Sequence, residues 1–596
     1  MTIFAGVFSR RGSPLPDSAC DTLRRSVSRD TRDAVQEFAD AHLFLVKVDI
    51  GAFPDRGFLI RSGGTVSVLA GEPLLATADP GMARARSADL ALLHEGWDRG
   101  DSNLLKTARG VFCAAHYHPR DRRLTLLVDK LGLRPLYYWI GDEYVVFATA
   151  LRILEALPQV PKQMDLRAVT EMVCLGVPLG DRTPYTGVQL LRAAEMVQVS
   201  AGGVARSQYW RWDHIQPSDA PEPELLQRAY DRFSAAVACR LRGNAVTTAF
   251  LSGGLDSRCV VAALRSQGAH VRTFNFGLPR TQDHVFGTEF ARACGAEHVS
   301  VPMKPAVEIR FSTLMTDAMQ AFPPGDAKPE RRRIVWSGEG GSLGTGHIYQ
   351  TRHMVELLRA GRSEEAITLF LDRQGAHVPR RLFRRDLAES LARIPREGMC
   401  EELQELRLSD PGRGIHMFLL LNDQRRHLGT HFEDIDLHRL EFEVPFFDSD
   451  FLQTILETPI DLCLYHRFYV NWLGLFPAVV TSVPWQTYPG HVACPIPVPE
   501  GLHYQWESRR PKAVRTAIKR ALRHRMDHML AAPRFPDDLL RKSALRLAGW
   551  LHQTGVRDYG YVLTHATLYY TYWSRSGGRW VSPGTAPAPS LHALQR

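Results

Sequence analysis

The segment Leu251-Ser252-Gly253-Gly254-Leu255-Asp256-Ser257 constrains this chain most. The β-branched and apolar run from Val246 to Phe250 before it predicts a buried strand. Cys259 to Ser266 after it predict the start of a helix. A strand, a Gly-rich turn and a helix N-terminus make an anion site. Gly253 and Gly254 lack Cβ, so backbone N–H groups can turn toward an oxyanion. The first helical turn adds unpaired N–H groups and a partial positive charge. Ser252 and Ser257 supply hydroxyl donors. Asp256 repels phosphate, so its expected work is to hold Mg²⁺ that bridges to the phosphates. No Gly-Lys-Ser/Thr follows, so this is not a Walker A loop. It is expected to grip a pyrophosphate that leaves, not a γ-phosphate that is transferred.

From Ala245 onward strand, loop and helix recur: Val246 to Leu251, Val271 to Phe276 and Ile334 to Trp336, with a helical stretch from His284 to Ala293. Such alternation predicts a parallel sheet with helices on both faces. Ligands in such folds sit beyond the carboxyl ends of strands, and the loops at 252–257, 276–283 and 337–342 all fall there. Residues 1 to about 212 instead alternate short apolar strands with polar turns, which predicts a layered α+β domain with sheet packed on sheet. The run Gln216-Pro217-Ser218-Asp219-Ala220-Pro221-Glu222-Pro223 reads as a linker, and Glu224 to Leu241 as an amphipathic helix. The expected division is 1–212, 213–500, a helical extension over 501–573, and a disordered Gly-, Pro- and Ser-rich tail over 574–596.

A chain of 596 residues with 44% hydrophobic and 23% charged content belongs with soluble globular proteins of two or more domains. No apolar run reaches the ~18–20 residues of a membrane span, and Met1 to Arg10 are too weakly apolar for a signal peptide. Nine cysteines without paired spacing suit a reducing cytoplasm and argue against structural zinc. The net charge of +9 is uneven: Arg509, Arg510, Lys512, Arg515, Lys519, Arg520, Arg523 and Arg525 crowd one segment. A solvated basic helix face is the first reading, and an acidic partner or anionic surface the second. Nucleic acid is not an expected partner, because no aromatic interleaving accompanies the basic residues.

Ser252-Gly253-Gly254-Leu255-Asp256-Ser257 resembles the pyrophosphate loop of the N-type ATP pyrophosphatases. Further segments narrow the resemblance to asparagine synthetase-like proteins. Gly110-Val111-Phe112, the run Leu126 to Tyr138, and Tyr209-Trp210 resemble the later part of that family's amidotransferase domain. Ser337-Gly338-Glu339-Gly340-Gly341 resembles the second Gly-rich loop of the synthetase site, and Glu441-Phe442-Glu443-Val444-Pro445-Phe446-Phe447-Asp448 the Glu-x-Arg-x-Pro-Phe-Leu-Asp segment after it. The resemblance implies an N-terminal Ntn-hydrolase-like αββα sandwich and a C-terminal parallel-sheet α/β adenylating domain with added helices. It implies ATP and Mg²⁺ as cofactors. A carboxylate attacks the α-phosphate, pyrophosphate leaves, and a nitrogen nucleophile displaces AMP. By this resemblance Leu251 to Ser257, Asn275, Phe276, Gly277, Ser337, Gly338 and Gly340 bind ATP and pyrophosphate, with Asp256 on the metal.

Glu339 is the expected general base. Glu441 is the second candidate: in β-lactam synthetases, relatives of this family, the matching glutamate pairs with a tyrosine to deprotonate an amine, and Glu339 occupies the tyrosine's position here. Two nearby carboxylates would push one pKa up toward base range. A salt bridge to an arginine is the structural alternative for Glu441. For Asp283 the alternatives are a substrate or phosphate role and an N-cap on the helix from His284. Three departures stand out. Ser342 replaces the family's second Mg²⁺-binding aspartate, Glu443 stands where arginine is usual, and the stretch Leu464 to Tyr469 lacks the family's lysine, whose charge Arg467 is expected to replace.

The glutaminase half reads as inactive. Glutamine-fed relatives need a cysteine at position 2, where this chain has Thr2, and its first cysteine is Cys20. Gly71-Glu72-Pro73 is the nearest remnant of the glutamine-binding Asn-Gly-Glu. The subgroup without that cysteine includes β-lactam synthetases and lasso-peptide cyclases. The leading expectation is therefore an amide ligase joining a carboxylate on a small molecule, peptide or sugar to an amine or ammonia, with a homodimer as one arrangement open to it. Glutamine-hydrolysing asparagine synthase and a non-catalytic nucleotide-binding scaffold are the alternatives.

Overall fold

A computed structural model describes residues 2–301, 314–315, 317–318, 330–504 and 512–582. The N-terminal half holds two six-stranded antiparallel sheets. One runs in the order Val188–Leu190, Tyr137–Ile140, Tyr144–Ala148, Thr2–Ser9, Leu43–Asp49, Val35–Ala39. The other runs Gly203–Gln208, Glu195–Ser200, Arg123–Val128, Phe112–His118, Val66–Gly71, Phe58–Ile60. Phe4, Phe8, Leu43 and Leu45 of the first sheet meet Val68, Leu124, Leu126 and Val197 of the second in one core. The opposite faces are also covered. Val7 packs near Leu23 of the helix Asp17–Ser26, and Leu69 near Leu90 and Leu93 of the helix Arg86–Asp98. Strands buried on both faces read as continuous apolar runs, as in Leu43-Phe44-Leu45-Val46. The arrangement is an αββα sandwich.

The C-terminal half is built on a five-stranded sheet: β1 (Val246–Phe250), β2 (His270–Asn275), β3 (Glu297–Ser300), β4 (Glu330–Trp336) and β5 (Glu441–Glu443), in the order β3-β2-β1-β4-β5. Every pairing is parallel, with Phe250 opposite Phe274, Ala249 opposite Trp336, and Trp336 opposite Glu443. The chain winds outward from β1 to β3, then returns to the other side of β1 with β4. The carboxyl ends of β1 and β4 therefore flank the topological switch point, where open α/β sheets bind ligands. The helices that matter to the site are α1 (Asp256–Ser266), α2 (Gln282–Ala293), α3 (Arg425–Glu433) and α4 (Arg467–Leu473).

Buried ion pairs join the halves. Arg134 makes a two-pronged contact with Glu441, at 2.9 and 3.2 Å, and Asp448 receives Arg109 from the sandwich and Arg240 at 2.7 Å. The last helices, α5 (Lys512–Ala531), α6 (Lys542–Thr554) and α7 (Gly560–Arg575), share a core with Leu166 and Val169 of the sandwich and with Leu391. α5 buries Met526 and Met529 and exposes Arg515, Arg520, Arg523 and Arg525, so these basic residues lie on a solvated face. Arg509 and Arg510 lie outside the described residues. The expectation of a disordered tail from 574 is corrected over 574–582. α7 runs to Arg575, and Trp580–Val581 pair in parallel with Met164–Asp165. Its Gly-rich composition spans a turn, not a free end; 583–596 lie outside the described residues. No described helix is long and apolar enough to cross a membrane, and all nine cysteines are unpaired.

Candidate functional site at the switch point

The two Gly-rich loops close on each other. A Cβ on Gly338 would lie 2.4 Å from the Ser257 nitrogen, and one on Gly341 2.5 Å from Cγ of Asp256. Real Cβ atoms do not approach other heavy atoms so closely, so these two positions admit only glycine at the observed spacing. Gly340 turns at φ +91°, where a side chain would be strained. Within the first loop the Ser252 N–H donates to Ser257 Oγ at 3.0 Å, and the Gly254 N–H to Ser252 Oγ at 3.2 Å. No side chain caps α1. Its first N–H groups therefore remain available to an anion at the strand end.

Asp256 lies between the loops. Its Oδ2 accepts from the Ser342 N–H at 2.9 Å and the Ser342 hydroxyl at 2.6 Å; its Oδ1 accepts from the Tyr469 hydroxyl at 2.5 Å. Burial pushes this carboxyl up from its ordinary range, and the bonds from Ser342 and Tyr469 pull it back. Ser342, which departs from the family pattern, is thus a donor to Asp256. Tyr469 was not picked out from sequence, although it lies two residues beyond Arg467. Residues two apart on a helix point to different sides. Accordingly Tyr469 is buried against Asp256 while Arg467, at the start of α4, is exposed. Arg467, expected to supply charge to the site, is therefore not on the buried side where Tyr469 meets Asp256.

Glu441 is corrected as well. It is 3% exposed, and both its oxygens are held by Arg134, so its structural alternative is the observed one. Glu443 lies 3.7 Å from Arg240, which reaches in from the helix Glu222–Leu241. Asp283 does not cap α2: Thr281 does, while Asp283 accepts from the Gly253 N–H at 3.3 Å and from Gln486 Nε2 at 2.6 Å. Asn275 is buried and donates to the Asp283 carbonyl at 3.1 Å. Phe276 packs edge-on to Phe250 and Phe274, and Gly277 lies against His284. The Leu251 N–H donates to the Phe274 carbonyl at 2.9 Å, and the Ser337 N–H to the Glu443 carbonyl, also at 2.9 Å. These residues shape the strand ends around the loops.

Glu339 faces His431 of α3, with Oε1 3.7 Å from Nε2. Burial lowers the imidazole pKa and Glu339 raises it. Beside the loops opens a cavity of about 400 Å³, lined by Asp256, Gly340, Ser342, Tyr349, Asp423 and His427 among others. Leu175 of the sandwich half and Phe370 and Phe418 give it apolar walls. Asp423, His427 and His431 were not anticipated. The four-residue spacing of the two histidines was the available signal.

In the other half Thr2 opens a central strand. Cys20 lies buried in the helix Asp17–Ser26, and burial raises its thiol pKa, the opposite of an activated nucleophile. Glu72 pairs with Arg242 at 2.8 Å.

The fold is an αββα sandwich joined to a parallel-sheet domain with paired Gly-rich loops. Residues 82–210 match the glutamine amidotransferase domain family and residues 228–324 the asparagine synthase family. In these segments the chain is similar to proteins of the asparagine synthetase family. Asparagine synthetase [glutamine-hydrolyzing] 3 of Bacillus subtilis (strain 168) is 24% identical over 181 residues, covering 30% of this chain and 29% of that protein. Asparagine synthetase [glutamine-hydrolyzing] 1 of the same organism is 23% identical over 199 residues, covering 33% of this chain and 31% of that protein. The match thus spans about a third of the length of these relatives. Among solved structures, the glutamine phosphoribosylpyrophosphate amidotransferase from B. subtilis complexed with ADP and GMP is 12% identical, covers 55% of this chain and 94% of that one, and gives a TM-score of 0.25.

Proposed function

We propose that this chain is an ATP-dependent amide ligase that activates a carboxylate as its adenylate, releases pyrophosphate and passes the acyl group to a nitrogen nucleophile. The observation that carries this reading is the closure of the 251–257 and 337–342 loops on each other at the switch point, with Asp256 between them and a cavity alongside. The uncapped N-terminus of α1 and the Ser252 and Ser257 hydroxyls would hold the polyphosphate. Asn275, Phe276 and Gly277 would border the nucleoside, and Ser337, Gly338 and Gly340 would close the second side.

Magnesium fits this donor set through one carboxylate. A carboxylate offers about four acceptor sites, and three on Asp256 are taken by Ser342 and Tyr469. One lone pair on Oδ1 remains, which suits an ion that takes its other ligands from phosphates and water. Bound there, Mg²⁺ would supply charge neutralisation to the phosphates. Glu339 backed by His431 would take the proton from the nitrogen nucleophile. A positioned base of this kind is typically worth ~10²–10⁴ in rate. With Cys20 buried and Glu72 committed to Arg242, the nitrogen would come from an amine or free ammonia, not from glutamine bound in the sandwich.

Carboxylate-dependent exchange of labelled pyrophosphate into ATP tests the reading. Exchange should appear with one class among aspartate, acidic peptides and uronic acids, and vanish in Asp256→Ala. Nucleotide binding without exchange for any of them would defeat it. The second reading is a non-catalytic nucleotide-binding scaffold, favoured by the capture of Asp256 by neutral protein donors. Exchange with any carboxylate removes that reading.

A further inference from the structure

Three metal-binding side chains converge at the rim of the cavity from two separate elements. Glu339 comes from the loop after β4. His427 and His431 come from α3, four residues apart and therefore on one face. One donor atom from each of the three lies within 4.8 Å of the others. The imidazole centroids are 5.7 Å apart at 85°, so the rings splay around a shared point instead of stacking. His427 and Gly340, the neighbour of Glu339, both line the cavity, as does Asp423, four residues before His427. The segment Leu419–Gln424 that leads into α3 is a π-helix, a distortion found mostly at functional sites.

An ordinary surface ion pair sets lysine or arginine against a carboxylate. Two imidazoles and one carboxylate are instead the donor set of catalytic-type sites for zinc and its first-row neighbours, which leave positions for an outside ligand. Mg²⁺ prefers oxygen alone, so this set differs in kind from Asp256. We propose that Glu339, His427 and His431 form a binding site for a zinc-class divalent cation, whose remaining coordination positions serve a molecule in the cavity. The proposal rests on this donor set, not on the ligase reading. The two meet at Glu339, where an ion held by one carboxylate oxygen leaves the other oxygen to accept a proton.

The test titrates the chelator-treated full-length protein with Co²⁺, a spectroscopic stand-in for zinc. Visible d–d bands should saturate at one equivalent, without the near-ultraviolet charge-transfer band that thiolate ligands add. That second readout matters because the nine unpaired cysteines are the competing donors. His427→Ala, which changes an exposed residue, should weaken binding by roughly tenfold or more, as should Glu339→Gln. Thermal unfolding without metal should leave both variants close to the parent. A parent protein that binds no Co²⁺ at micromolar concentration overturns the proposal. So does one-equivalent binding unchanged in the His427→Ala/Glu339→Gln double variant, or spectra dominated by thiolate.

Discussion

Two groups of carboxylates in this molecule face different partners. Near the start of the first sheet, Asp49 lies 3.4 Å from both Lys47 and Arg86, Asp55 lies 2.7 Å from Arg86, and Glu72 pairs with Arg242. At the switch point Asp256 is held by two hydroxyls and an N–H, and Glu339 faces an imidazole. A carboxylate matched by a guanidinium has spent its charge on the fold. One held by neutral donors has no partner charge to cancel its own, so burial raises its pKa, as at Asp256. The named acids of the sandwich are tied to cationic side chains, whereas Asp256 at the switch point is held by neutral donors.

The sharpest way to break this contrast is at Arg134, the partner of Glu441. Arg134→Met should destabilise the protein by about 3–5 kcal/mol, because it strands a buried charge. Arg134→Met/Glu441→Leu should recover most of that loss in urea unfolding. A Glu441→Gln variant that keeps its stability would break the assignment of Glu441 to structure. Next in size is Gly338→Val, whose Cβ meets the Ser257 nitrogen. Overpacking should cost about 1–3 kcal/mol and abolish nucleotide binding in calorimetry. Gly63→Ala in the sandwich, with nothing within 4 Å, should do neither.

The smallest expected effect sharpens the comparison through Glu433, a carboxyl at the junction held only by neutral donors, the Tyr137 hydroxyl and the Leu151 N–H. Burial raises its pKa from 4.5 to about 7. The folded state therefore binds this proton more tightly than the unfolded chain does. The contribution of Glu433 to stability should be greatest below the ordinary glutamate range and fall by something on the order of 1–3 kcal/mol as pH rises to about 7. Glu433→Gln should flatten that slope in thermal unfolding measured across the range.

The Gly-rich turn between β1 and α1 was legible because strand, glycine turn and helix start are encoded within a dozen neighbouring residues. The αββα sandwich was legible from short apolar strands and from resemblance. The fates of individual charges were not. Arg134 reaches Glu441 across 307 positions of sequence, and Tyr469 reaches Asp256 across 213. Periodicity cannot register a pairing at such separations. The ordered stretch 574–582 escaped for the same reason, since its composition reads as free chain until Met164–Asp165 supply a strand to pair with.

What the sequence determined by itself is therefore local: which segment turns with no side chain in the way, and which helix begins there with its N–H groups uncommitted. Tertiary structure alone decided which acids meet a guanidinium and which meet neutral donors beside a cavity. An ion pair forms only where chain distant in sequence brings a guanidinium within about 3 Å, and the energy of doing so depends on burial that no short segment carries.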